Sequence, residues 1–106
     1  MNGVGIAKGT GRITVAELLV NPAHWTKGAL AREQSGGSVS PHDAAAVCFC
    51  VVGALPKCYP RCPEYSRAYD RVFATINNRE FRCTIAEFND SATHDELMQM
   101  LRKANA

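Results

Sequence analysis

Ser40-Pro41-His42-Asp43-Ala44-Ala45-Ala46-Val47-Cys48-Phe49-Cys50-Val51-Val52-Gly53-Ala54-Leu55 is the stretch on which the fold turns. Serine suits a helix N-cap, proline the first helical position and aspartate the positive end of the helix dipole. From Ala44 onward the run is apolar on nearly every side, as in a helix buried at the centre of a domain. The competing reading is a strand over Val47–Val52, because valine and phenylalanine favour a pleated, half-buried surface. The alanine triplet and the cap tip the balance to a helix over about Pro41–Leu55.

The flanks read as helices too. Thr14-Val15-Ala16-Glu17 is a capping box, in which hydroxyl and carboxylate reciprocally satisfy amide donors. Val15, Leu18 and Leu19 then share a face, and Asn21-Pro22 stops the helix, since a residue before proline avoids the α region. Residues 22–39 have no clean period and are broken by Gly28, Gly36 and Gly37. They read as a turn, a short helix or extended piece, and a surface loop at Gln34–Ser38. After a proline-rich connector, Tyr65, Ala68, Tyr69, Val72, Phe73 and Ile76 recur at helical spacing, with an exit at Asn77-Asn78 and a short extended link at Phe81–Cys83. Thr84-Ile85-Ala86-Glu87 and Thr93-His94-Asp95-Glu96 are two further capping boxes. Arg102 and Lys103 suit the negative end of the last helix. The expectation is an all-α fold: one domain over residues 13–106, of four to five helices, with an irregular loop between the first and second. A flexible glycine-rich tail is expected at residues 1–12.

A chain of 106 residues is too short for a Rossmann or barrel enzyme, which needs roughly 200 or more. Twelve Lys and Arg against ten Asp and Glu give a net charge of +2, too weak a bias to indicate nucleic acid. The longest near-apolar run, Ala44–Leu55, falls well short of the ~20 residues of a membrane span. Residues 1–12 lack the apolar segment of a signal peptide. Five cysteines are an odd number, better read as free thiols in a reducing compartment than as a disulfide framework. A cytoplasmic protein is expected.

Few residues carry chemistry. Cys58 and Cys62 have an acceptable spacing for zinc, but Cys48 and Cys50, two apart, would diverge by about 200° on a helix. No metal and no cofactor is expected, and a zinc-stabilised module is kept as a secondary alternative. Cys50 could serve as a nucleophile with His24, His42 or His94 as base and Asn89 or Asp90 as orienter; the alternative function is therefore a Cys-dependent enzyme on Cys50, His94 and Asp90. Against it, a thiol within an apolar helix is inert, because burial raises its pKa. Trp25, the single tryptophan, reads as a core anchor or as a partner-binding residue. His94 reads as part of a solvated helix start, and Asn89-Asp90 as a turn between two helices. Arg67 and Arg71, one helical turn apart, define with Arg79 and Arg82 a small basic patch.

These residues carry a family resemblance. Thr14-Val15-Ala16-Glu17-Leu18-Leu19, then Trp25-Thr26-Lys27-Gly28-Ala29-Leu30-Ala31-Arg32, then Cys50-Val51-Val52-Gly53-Ala54-Leu55, and last Ile85-Ala86-Glu87-Phe88-Asn89-Asp90 before Thr93-His94 form an ordered set. In that order and spacing the chain resembles a family of small, functionally uncharacterised bacterial and phage proteins. It departs from that family in Phe88, where tryptophan is frequent, and in Cys48, Cys58, Cys62 and Cys83. The resemblance implies an α-helical domain and supplies no activity. Independently of it, Gly53 within an apolar helix would let another backbone approach, at Trp25 or Phe88.

The functional expectation is a non-enzymatic cytoplasmic protein that binds another macromolecule, as a phage-related or mobile-element regulator or inhibitor. Trp25, Arg67, Arg71, Asn89 and Asp90 are the expected binding residues. A protein is the expected partner, and nucleic acid is the weaker one.

Overall fold

All three threonine-started helices form where the capping boxes place them. The hydroxyls of Thr14, Thr84 and Thr93 accept from the amides of Glu17, Glu87 and Glu96, and each glutamate returns a bond to its threonine amide. In the computed structural model, which describes residues 13–77 and 83–106, the order is α1 (Val15–Leu19), a 3-10 turn (Pro22–His24), β1 (Ala31–Glu33), β2 (Ser38–Val39), β3 (Ala46–Phe49), α2 (Val51–Cys58), α3 (Glu64–Ile76), α4 (Ile85–Ser91) and α5 (His94–Ala104). The expected tail 1–12, residues 78 and 81–82 of the exit and link, and Arg79 and Arg82 of the basic patch lie outside the described residues.

The fold is mixed α/β, which corrects the all-α expectation. Five helices accompany a three-stranded antiparallel sheet of order β2-β1-β3. β1 pairs Ala31 with Val39 on one side and with Phe49 on the other, and its register to β3 shifts between Arg32 and Glu33. The β1–β2 connection closes with Gly36 at φ +96°, a left-handed conformation open to glycine at no steric cost. Residues 22–39 thus hold the turn and the extended piece expected of them, at Pro22–His24 and Ala31–Glu33, but β1 and β2 pair as a hairpin where an irregular loop was expected.

The decisive stretch divides in two. Asp43 does not open a long helix. Its amide donates to the Ser40 carbonyl, and its own carbonyl and carboxylate accept from Ala46 and Ala45, giving successive turns. Ala46–Phe49 then runs as a strand, and a helix begins only after Cys50. Alanine's helix preference is worth less than ~1 kcal/mol per residue. Pairing with β1 and burial of Phe49, 3% exposed, outweigh it, since burying one phenylalanine contributes roughly 1.5–3 kcal/mol.

α2 keeps the central position expected of the apolar run. Val51, Ala54 and Leu55 are fully buried in one core cluster that also holds Val15 and Leu19 of α1, Val72 of α3, Ile85 of α4 and Leu97 and Leu101 of α5. On α3 only Ala68 and Val72 are buried, and the predicted apolar face is narrower than its periodicity implies: Tyr69 and Phe73 are 36% and 43% exposed. The end of α5 turns at Asn105 in the left-handed conformation, and the Ala106 carbonyl accepts from the amide of Ala16. No helix among the described residues is long and apolar enough to cross a membrane.

Candidate functional site

Asn89 is the one buried polar side chain among the described residues, at 0% exposure. It lies within α4, so the turn expected at Asn89-Asp90 is a helical segment instead. Its carbonyl oxygen accepts from the indole Nε1 of Trp25 at 2.7 Å and from the amide of Val51 at 3.0 Å. Its Nδ2 donates to the Thr26 carbonyl at 3.1 Å and to Asp90 Oδ1 at 3.0 Å. A side-chain amide can accept twice and donate twice, so Asn89 is saturated, and this pattern of two donors and two acceptors fixes which end is oxygen. Val51 opens α2, where the first amides have no partner inside the helix. Asn89 supplies one of the missing partners from another helix.

Around this hub the neighbours are equally engaged. Asp90 Oδ1 also accepts from the amide of Gly28 at 3.1 Å. His94, first residue of α5, places Nε2 2.7 Å from the Leu19 carbonyl at the end of α1. A carbonyl only accepts, so Nε2 carries the proton there. The ring of His94 packs on Trp25 with centroids 5.6 Å apart, and Lys27 Nζ lies 5.1 Å from the centroid on Trp25. The His94 ring is therefore half-buried and structural, beyond the solvated helix start expected of it. Arg32 donates to Thr26 Oγ1, Gly36 O and Lys27 O, holding the segment that carries Trp25.

Cys50 caps α2: its sulfur accepts from the amide of Gly53 at 3.4 Å. It is 5% exposed, and burial raises its pKa. Amide bonds from Gly53 and Val52 pull the other way and are outweighed, while the Asp90 carboxylate adds to the rise. Neither His94 nor Asp90 hydrogen-bonds the Cys50 sulfur among the described residues. Cys48, on β3, directs its sulfur to the Arg32 carbonyl at 4.0 Å. The helical divergence expected of Cys48 and Cys50 does not apply, since one is in a strand and the other at a cap. Among the described residues no three His, Cys, Asp or Glu side chains are grouped to hold a metal ion.

Of the expected residues, Trp25, Cys50, Asn89, Asp90 and His94 converge. Arg67 and Arg71 do not. Arg67 is exposed on α3, and Arg71 donates to the carbonyls of Ala104 and Asn105 at 3.0 and 3.2 Å, tying α3 to the end of α5. Sequence reasoning missed Thr26 and Val51, which meet Asn89 through backbone atoms and leave no side-chain signal for that contact. It also missed a groove of about 330 Å³ between the end of α1 and α5, bordered by Val20, Pro22, Met98 and Arg102.

Fold and site together define a small α/β domain clasped around a buried asparagine at a helix N-terminus. The chain belongs to DUF6197, a family of unknown function, whose family model matches residues 13–106. No curated protein and no solved structure matches the chain.

Proposed function

We propose that this protein acts without catalysis, by binding a partner protein, as a regulator or inhibitor of the kind found in phages and mobile elements. One observation carries the reading: where Trp25, Cys50, Asn89, Asp90 and His94 meet, the indole Nε1, both ends of the Asn89 amide, Asp90 Oδ1, His94 Nε2 and the Cys50 sulfur are turned on one another and on backbone. The Asn89 amide is saturated, His94 Nε2 holds Leu19, Asp90 Oδ1 holds Gly28 and Asn89, and the Cys50 sulfur takes an amide. A thiol nucleophile is activated by a base within hydrogen-bond reach or by a depressed pKa. Cys50 has neither, so the cluster reads as a clasp that fixes the surface around it. Five free thiols suit a reducing compartment, and we assign the cytoplasm on that ground.

The test is a photo-cross-linking comparison in the native host. A benzoylphenylalanine at exposed Val20 or Phe73 should yield a discrete protein adduct, and Cys50→Ala should leave that adduct intact. Loss of the adduct in a folded Cys50→Ala protein, or turnover of an acyl or thioester substrate that this variant abolishes, would overturn the reading.

A further inference from the structure

Resting on that protein-binding reading, we propose that the groove between α1 and α5 receives an extended segment of the partner with the pattern basic–apolar–apolar–acidic. Val20 and Pro22 form one wall, and Asp95, Met98, Gln99 and Arg102 of α5 form the other. Its volume of about 330 Å³ is at the small end of ligand clefts, suited to one or two side chains rather than to a helix. Val20 is 55% exposed, more than any other large hydrophobic among the described residues, while Met98 closes the floor at 4%. An apolar side chain seated there would remove this surface from water.

The charges set the rest of the pattern. Asp95 and Arg102 are seven positions apart on α5, almost two full turns, so they stand on one face about 10 Å apart at 1.5 Å per residue. A segment in the extended polyproline II conformation advances ~3.1 Å per residue with three residues per turn, so its first and fourth side chains face α5 together and three steps carry it from one charge to the other. A basic side chain then meets Asp95, an acidic one meets Arg102, and two apolar residues lie between them. Gln99, midway, offers a donor and an acceptor to the segment's backbone. No other side chain among the described residues engages Asp95 or Arg102. The bond from His94 to the Leu19 carbonyl joins the two walls at one edge, so the groove exists before the segment arrives and little ordering is needed on binding.

The test is an NMR titration of the full chain with four peptides. These are acetyl-Lys-Leu-Leu-Glu-amide, its all-basic and all-acidic counterparts with Lys or Glu at both ends, and acetyl-Lys-Ser-Ser-Glu-amide. The mixed-charge leucine peptide should give saturable shifts at the amides of Val20, Met98 and Gln99. Each of the other three should bind about threefold or more weakly, the scale of one exposed ion pair or one buried side chain. Arg102→Glu should invert the order in favour of the all-basic peptide, and Arg102→Gln should erase the preference between mixed and all-basic. Shifts confined to another face, no saturable shifts, or an unchanged order in a folded Arg102→Glu protein would overturn the proposal. If the groove fails while the cross-linked adduct survives Cys50→Ala, the protein-binding reading stands and only its location falls.

Discussion

The backbone of Gly53 sits directly against the carbonyl group of Leu30. A β carbon placed on Gly53 would overlap the carbonyl oxygen and crowd Pro41 Cγ at 3.1 Å. The amide of Cys50 donates to that same carbonyl at 3.1 Å, so the entry to β1 is pinned against the first turn of α2. The close approach expected at Gly53 is therefore present, but the opposing backbone is Leu30 and not Trp25 or Phe88. The helix that carries Gly53 starts ten residues later than the sequence suggested, at Val51 rather than Pro41.

Gly53→Ala sets helix propensity against this contact. Propensity alone would stabilise α2 by ~1 kcal/mol. The obstacle is backbone, which cannot rotate away as a side chain can, and overpacking costs roughly 1–3 kcal/mol or more. We expect a net loss of about 1–2 kcal/mol, seen as a fall of roughly 5–10 °C in Tm for a domain of this size. A Tm equal to or above that of the natural protein would mean that α2 does not lie against Leu30.

Asn89→Ala should be among the most damaging single substitutions in the chain. It strands the Trp25 indole N–H, the Val51 amide and the Thr26 carbonyl together. Each buried unsatisfied group costs ~1–3 kcal/mol, and water entering the vacated space recovers part of that. A loss of about 3–5 kcal/mol in urea unfolding is expected, with Trp25 fluorescence reporting the change beside it. A loss under ~1 kcal/mol would show that Asn89 is not the hub.

The helix boundaries set by threonine caps were legible because a capping box is local: four consecutive residues satisfy one another before any tertiary contact forms. The sheet was not. β2 has two residues and β1 three, too short for alternation to register, and β3, although it overlaps the competing strand reading over Val47–Val52, prevails over the helix only through its pairing with Ala31–Glu33. Non-local pairing overrode the alanine triplet, as tertiary context commonly overrides propensity. At the site, residue types carried real information, since Trp25, Cys50, Asn89, Asp90 and His94 do converge. Their roles did not follow from type. Those depend on which carbonyl or amide lies opposite, namely Leu19, Thr26, Gly28 and Val51, and backbone partners have no signature in sequence.

Alkaline pH should weaken the fold through the buried thiols. Burial pushes the Cys58 thiol from its ordinary 9.0 up to about 12. Its folded pKa thus lies above its unfolded one, so the stabilising contribution is complete below pH 9 and is lost as pH rises toward 12. Within that window the unfolded chain holds fewer protons, and stability should fall by up to ~1.4 kcal/mol per pH unit from this group. Cys58→Ala, although less stable at neutral pH because it leaves a small cavity, should show a shallower decline between pH 9 and 11. Parallel pH profiles for the two proteins would contradict the assignment.

On the proposed reading, Cys50 caps and packs the start of α2 and is not an activated nucleophile. Its native alkylation rate by iodoacetamide at pH 7, read cysteine by cysteine from digested protein, tests this most directly. Exposed Cys62 in the same molecule serves as the internal standard. With Cys50 buried, its pKa raised, and no base against its sulfur, it should react at least about 100-fold more slowly than Cys62 and reach the same rate only on unfolding. A native Cys50 that reacts faster than Cys62 would contradict the account.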